Sequence, residues 1–184
     1  MDNGEISYRR FLAGDDEGMV EIIRDYKDGL ILYINGITNN LVIAEEIMED
    51  TFFKLVTKKP RFSGKSTFKT WLYSIGRNAA IDSLRKRSKI SDIPIDEYHE
   101  LIGGESIERE YLKEEQKITL HKALQNLKPD YKQVLYLAFF EDFSNSDIAS
   151  IMHKTKRQIE NLLYRAKQSL KSELEKEGFE YEVL

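Results

Sequence analysis

Ser144-Asn-Ser-Asp-Ile-Ala-Ser-Ile-Met-His-Lys-Thr-Lys-Arg-Gln-Ile-Glu-Asn-Leu-Leu163 decides how the C-terminal half of this chain folds. Ser144 stands three residues before Asp147, and Thr155 three residues before Gln158. Both pairs have the spacing of a capping box, with Asp147 approximating the usual Glu or Gln. Ile148 and Ile151 line one inward face, Ile159 and Leu162 another, and Ala149 is small enough to let the two helices approach closely. The spacing therefore predicts helices over 144–152 and 155–174, crossing as a helix-turn-helix. In the turn, Met152-His153-Lys154, His153 takes a place that favours glycine, and histidine tolerates a left-handed backbone better than most residues do. The second helix presents Lys154, Lys156, Arg157, Gln158, Asn161 and Arg165 outward. Such an N-terminus suits a major groove, because Arg and Gln pair with base edges while Lys holds phosphates. The plainer alternative is an αα-hairpin with a solvated basic face.

Upstream of that motif, Val134, Leu135, Ala138 and Phe139 make one apolar stripe and Leu120, Ala123, Leu124 and Leu127 another. Pro129 falls where a first helical turn accepts proline. Residues 91–115 hold Pro94, Gly103-Gly104 and many acids with few core-sized side chains, the chemistry of a linker. Further back, Ile43, Ile47, Thr51 and Leu55 recur every four residues. Phe68, Trp71, Leu72, Ile75, Ala79 and Leu84 form a second stripe of helical period. Asp15 to Thr38 also reads as helix, interrupted at Gly29 and Gly36. A three-helix domain ending near residue 90 is expected, and no segment reads as strand. The fold class expected is all-α: two small helical domains joined by a flexible acidic linker, the second a helix-turn-helix domain. The boundaries are 1–90, a linker 91–115, 116–177, and a short tail 178–184.

Composition narrows the function. The 184 residues are 41% hydrophobic and 33% charged with few Pro or Gly, which excludes collagen-like and low-complexity chains. With no cysteine, disulfides and thiol chemistry are excluded. His99, His121 and His153 are too scattered for a metal motif, so no metal and no cofactor is expected. The opening Met-Asp-Asn-Gly-Glu5 has no signal-peptide character. No apolar run approaches the roughly 18–20 residues of a membrane span. A cytoplasmic protein without membrane insertion is expected.

The formal net charge is −4, yet the charge is strongly segregated. Between 58 and 89 lie ten basic side chains (Lys58, Lys59, Arg61, Lys65, Lys69, Arg77, Arg85, Lys86, Arg87, Lys89) against Asp82 alone. Between 153 and 171 six more face only Glu160. Two basic islands in an acidic chain steer polyanions whatever the global sum. In the first island aromatics interleave with cations, which suits a splayed single strand. Gly64-Lys65-Ser66 imitates the end of a phosphate-binding loop, but Lys59 stands where that loop needs glycine and no strand precedes it.

Ala44-Glu-Glu-Ile-Met-Glu-Asp-Thr-Phe52, Phe68-Lys-Thr-Trp-Leu-Tyr73 and Arg77-Asn-Ala-Ala-Ile-Asp-Ser-Leu-Arg85 resemble domain 2 of the extracytoplasmic-function sigma factors of bacterial RNA polymerase. Leu127-Lys-Pro-Asp-Tyr-Lys-Gln-Val-Leu135, the helix-turn-helix and Tyr164-Arg-Ala-Lys167 resemble their domain 4. The resemblance spans nearly the whole chain, in order. It implies a transcription initiation factor, not an enzyme, that binds core RNA polymerase and directs it to promoters. Glu45, Glu46, Glu49, Asp50 and Phe53 would then meet the clamp helices of the largest subunit, with a further contact to the flap. Lys65, Phe68, Lys69, Trp71, Arg77 and Asn78 would bind the opened −10 element, with Arg85, Lys86 and Arg87 on phosphates; Trp71 also lies on the apolar stripe with Phe68 and Ile75, so core packing is the alternative for it. Thr155, Lys156, Arg157, Gln158 and Asn161 would read the −35 element, with Arg165 and Lys167 on its backbone. An anti-sigma factor is a further partner the resemblance implies. The chain departs from the family pattern at His153, Lys154 and Glu160. A stand-alone helix-turn-helix regulator is the alternative, but it gives the first basic island no task.

Overall fold

The computed structural model describes residues 2–91 and 122–176. Most of the expected linker, and all of the tail at 178–184, lie outside them. Among the described residues the regular structure is helical: α1 (Asn3–Leu12), α2 (Glu17–Thr38), α3 (Leu41–Lys58), α4 (Phe68–Ser91), α5 (Pro129–Phe139), α6 (Asn145–Met152) and α7 (Lys156–Lys176).

The N-terminal domain has four helices, one more than the sequence reading places there. α1 is short, and its signal is a single cap. Asp2 Oδ1 accepts the Glu5 N–H at 2.8 Å. Its other oxygen, Oδ2, accepts the Phe68 N–H at 2.6 Å, so one carboxylate caps α1 and α4 together. α2 runs unbroken through Gly29 and Gly36, contrary to the expected interruptions. It ends at Asn39 in the left-handed region (φ 51°), and Asn40 Oδ1 then caps α3 through the Ile43 N–H. Lys59, also left-handed (φ 44°), stops α3 before Pro60.

The core gathers Tyr8, Phe11, Ile22, Leu30, Ile34, Ile37, Ile47, Leu55, Phe68 and Leu72. The buried face of α4 is Phe68, Leu72, Gly76, Ala80 and Leu84, four residues apart. Trp71, Ile75 and Ala79, expected on that face, are only half-buried. Gly76 explains the rotation. A Cβ there would meet Leu30 Cδ1 at 2.8 Å, so the glycine lets α2 press against this side of α4.

In the C-terminal domain Pro129 occupies the first turn of α5. Ser144 Oγ accepts the Asp147 N–H at 3.2 Å at the start of α6. His153 adopts φ 54° in the turn that follows, as expected from its position. Ile148, Ile151 and Ile159 are fully buried, so α6 and α7 cross as a helix-turn-helix.

The two domains pack on each other. Tyr33 and Tyr73 of the first meet Tyr136 and Phe143 of the second, with ring centroids 5.1 Å apart for Tyr73–Phe143 and 6.1 Å for Tyr33–Tyr136. Each such pair contributes about 0.5–1.5 kcal/mol beyond its buried area. Gly29 sits at this seam, where a Cβ would come within 2.5 Å of both the Tyr73 hydroxyl and a Glu141 carboxylate oxygen. Tyr136 Oη donates to Glu141 at 3.1 Å.

Candidate nucleic-acid interface

Three surfaces carry the chemistry. The first is the outer face of α3. Glu45, Glu46, Glu49, Asp50 and Phe53 are all exposed, Phe53 by 65%. Glu46 Oε2 lies 3.1 Å from Arg87 on α4, which offsets part of the like-charge repulsion along the helix. Val42 and Val56 are exposed on the same helix and were missed by sequence reasoning. Their spacing, 42-46-49-53-56, is the helical period that could have revealed them. The face is thus acidic with an apolar thread, suited to a cationic partner helix that also buries apolar surface.

The second surface is α4 and the loop before it. Lys65, Asn78, Arg85 and Lys86 are exposed. Lys69 and Arg77 are half-buried and already engaged. Lys69 Nζ lies 2.8 Å from the Glu141 carboxylate, and Arg77 Nε donates to Gln133 Oε1 at 3.0 Å. Phe68 corrects the expectation set out above. Its ring is 0% exposed and packs on Tyr8, Tyr26, Phe62 and Trp71. A side chain so enclosed holds the domain together and has no free face for a base. Trp71 keeps one partly open edge, the rest of its ring lying against Tyr8, Phe62 and Phe68.

The third surface is the start of α7. Thr155, Lys156, Arg157, Gln158, Asn161, Arg165 and Lys167 are all exposed. Gln158 Oε1 accepts the Thr155 N–H at 2.7 Å while its own N–H donates to Thr155 Oγ1 at 3.2 Å. The capping box is therefore closed, and Gln158 turns only its Nε2 donor outward. Lys154 pairs with Asp130 at 3.2 Å. Lys154, Gln158, Asn161 and Arg165, with Tyr131 and Leu162, line a shallow polar cleft of about 250 Å³. Lys167 lies over the Phe139 ring, 5.0 Å from its centre.

Protonation at the interdomain seam follows burial. Burial pushes the Tyr73 and Tyr136 phenols far above their ordinary value, and the neighbouring Glu141 carboxylate adds to the shift. Burial does the same to Tyr33, with the Arg77 guanidinium opposing. These phenols stay protonated over the whole ordinary pH range. Among the described residues no group of three or more His, Cys, Asp or Glu side chains is placed to hold a metal ion. Among them, too, no helix is long and apolar enough to cross a membrane.

Two family matches follow this layout. Sigma-70 region 2 matches residues 22–90, and Sigma-70 region 4 matches residues 117–170. The chain belongs to the extracytoplasmic-function sigma factors. It is 27% identical over 175 residues to the RNA polymerase sigma-H factor of Pseudomonas aeruginosa, covering 90% of this chain and 91% of that one. It is 26% identical to the ECF RNA polymerase sigma factor SigM of Bacillus subtilis, covering 83% and 92%. The fold is similar to that of the sigma factor RpoE of Bartonella quintana, solved with the anti-sigma factor NepR. That match has a TM-score of 0.68 at 23% identity and covers 84% of this chain and 95% of that one. As a sigma factor, the chain is a promoter-recognition factor for RNA polymerase. The stand-alone regulator is not favoured, because region 2 accounts for the first basic island.

Proposed function

We propose that this sigma factor docks on core RNA polymerase through the acidic and apolar face of α3, opens the −10 element with α4, and reads the −35 element with the start of α7. The observation that carries the reading is the pairing of two exposed cationic surfaces on separate domains, each within its own sigma-70 region. On α4 the strand contacts fall to Lys65, Lys69, Trp71, Arg77 and Asn78, with Arg85, Lys86 and Arg87 on phosphates. Phe68 is assigned to packing. On α7, Lys156, Arg157, Gln158 and Asn161 face bases, while Thr155 caps the helix and Arg165 and Lys167 hold phosphates. The domain boundaries we propose are those of the two regions with their flanks: 1–90, 91–115, 116–177 and 178–184. The protein acts in the cytoplasm, without catalytic activity of its own. The flap of the polymerase serves as a second dock, and an anti-sigma factor, as RpoE has in NepR, is a regulatory partner.

Run-off transcription tests the reading. Purified bacterial core polymerase with this chain yields protein-dependent transcripts from a pool of promoter fragments, and their start sites locate both elements. The absence of both core binding and transcripts would overturn the assignment.

The docking face has its own test. Glu46 is engaged with Arg87, so Glu49→Lys with Asp50→Lys is the cleaner charge reversal. Core affinity falls by about 10- to 100-fold in that variant, each factor of ten being about 1.4 kcal/mol. An unchanged Kd in a competition titration would move the dock elsewhere.

A further inference from the structure

We propose that Glu160 is a specificity-determining residue of the promoter contact: its carboxylate selects cytosine at one position of the −35 element and turns away guanine and thymine there. The inference rests on the −35 reading above and names a base that the reading leaves open.

Glu160 stands alone in its surroundings. It is the one acid between residues 153 and 171, among six cations. α7 carries two more acids further along, and each has a cation: Glu173 lies 2.6 Å from Lys176, and Glu175 3.8 Å from Lys171. Glu160 makes no ion pair among the described residues, although Lys156 stands four residues before it and Arg157 three. A cation placed on the N-terminal side of its acid is the weaker order for such a pair, because the helix dipole opposes it. The carboxylate keeps its acceptors open to solvent.

The helix fixes where that carboxylate lies. The capping box of Thr155 and Gln158 sets the first turn, and Ile159 and Ala166, both fully buried, hold the opposite side against the domain. Glu160 and Asn161 come one turn after Lys156 and Arg157 and share their exposed side, with Tyr164 next along it. In a helix-turn-helix the N-terminal part of this second helix enters the major groove.

A carboxylate there discriminates by exclusion as much as by attraction. Ionised, it can only accept hydrogen bonds. Guanine presents O6 and N7, and thymine O4, so either sets lone pairs against it. Cytosine presents its N4 amino group and satisfies one oxygen directly. Adenine presents N6 as well, but its N7 acceptor lies alongside and faces the second oxygen. Phosphates repel the group on every sequence, so affinity is regained only where the amino group stands. Arg157 and the outward Nε2 of Gln158 are donors, and Glu160 supplies the acceptor that lets the same face read both kinds of base edge.

The test is run-off transcription by core polymerase with the full chain, on promoters randomised in the −35 element and barcoded downstream of their start sites. Core binding is matched beforehand, so that only promoter choice is compared. The wild type is expected to favour cytosine over guanine at one position by about tenfold, the scale of one good base contact. Glu160→Gln, which gains a donor, flattens that preference to about twofold or less, and Glu160→Lys turns it to guanine. Glu175→Lys, at the far end of α7, makes the same change of charge and leaves the preference as it was. If the Glu160 variants raise transcription from all promoters alike with the preference unchanged, the carboxylate only repels phosphates and the proposal falls. It falls alone if Arg157→Ala relaxes the −35 preference while both Glu160 variants keep it. Wild-type transcripts with no −35 preference at all would overturn the −35 reading and the proposal together.

Discussion

Phe68→Ala loses about 3–5 kcal/mol of stability, the range for truncating a fully buried aromatic side chain. That is a large share of the roughly 5–15 kcal/mol that holds an ordinary domain folded. Phe68 is the hub of a ring cluster, with Tyr8 at 5.4 Å, Trp71 at 5.5 Å, and Tyr26 and Phe62 at 5.8 Å. Gly4 presses on the ring from α1, where a Cβ would lie 2.5 Å from Phe68 Cδ1. The Phe68 N–H is also the group through which Asp2 caps α4. Truncation therefore loosens α1, α2 and α4 together. Thermal unfolding followed by circular dichroism should show a midpoint lower by about 10–20 °C, given several degrees per kcal/mol in a domain of this size. Phe68→Leu, which refills much of the space, should lose far less. A Phe68→Ala protein that melts like the wild type yet fails to open promoters would return Phe68 to the strand-binding face.

Arg157→Ala with Gln158→Ala should cost on the order of 1–3 kcal/mol for each good base contact removed, and should relax the preferred −35 sequence. The structure splits Gln158 into two roles, because its Oε1 is committed to the Thr155 N–H and its Nε2 is not. The free carboxamide group can only donate, so it favours a base presenting an acceptor at that position, such as guanine O6 or N7. Gln158→Glu separates the roles. It keeps the reciprocal cap, for which glutamate is as suitable as glutamine, and removes the donor. Helix stability should hold while transcription from a library randomised in the −35 element loses its preference at one position. If Gln158→Glu leaves that preference intact, the residue serves the helix alone and the base contacts belong to Arg157 and Asn161.

The elements themselves were legible because their signals are local. Ser144 with Asp147, and Thr155 with Gln158, announce two helix starts within four residues each; the second box closes reciprocally, while in the first Ser144 Oγ caps the Asp147 N–H and the Asp147 carboxylate takes the Ser144 hydroxyl instead of its backbone N–H. The Ile43–Ile47–Thr51–Leu55 repeat placed the buried side of α3 correctly, since a period near four leaves little choice of face. On α4 the same method chose a face turned toward Trp71 and Ala79. Two apolar stripes lie side by side there, and only the approach of Leu30 over Gly76 selects between them. α1 went unread because one cap at Asp2, without a sustained apolar repeat, is too weak a signal.

For the surfaces the division is the same. Charge segregation and the two motif sets, read from residue order alone, determined an all-helical chain with two cationic faces and an acidic one. Tertiary structure alone decided that Phe68 lies inside, that Gln158 spends one of its polar atoms on a cap, and that Lys69, Arg77 and Asn78 are held by the other domain. The physical reason is the range of the interactions. Capping and helical periodicity act within one or two turns and leave their mark on neighbouring residues. Burial of a ring and neutralisation of a cation depend instead on atoms that the chain brings in from another helix, and nothing in the local sequence records which atoms those will be.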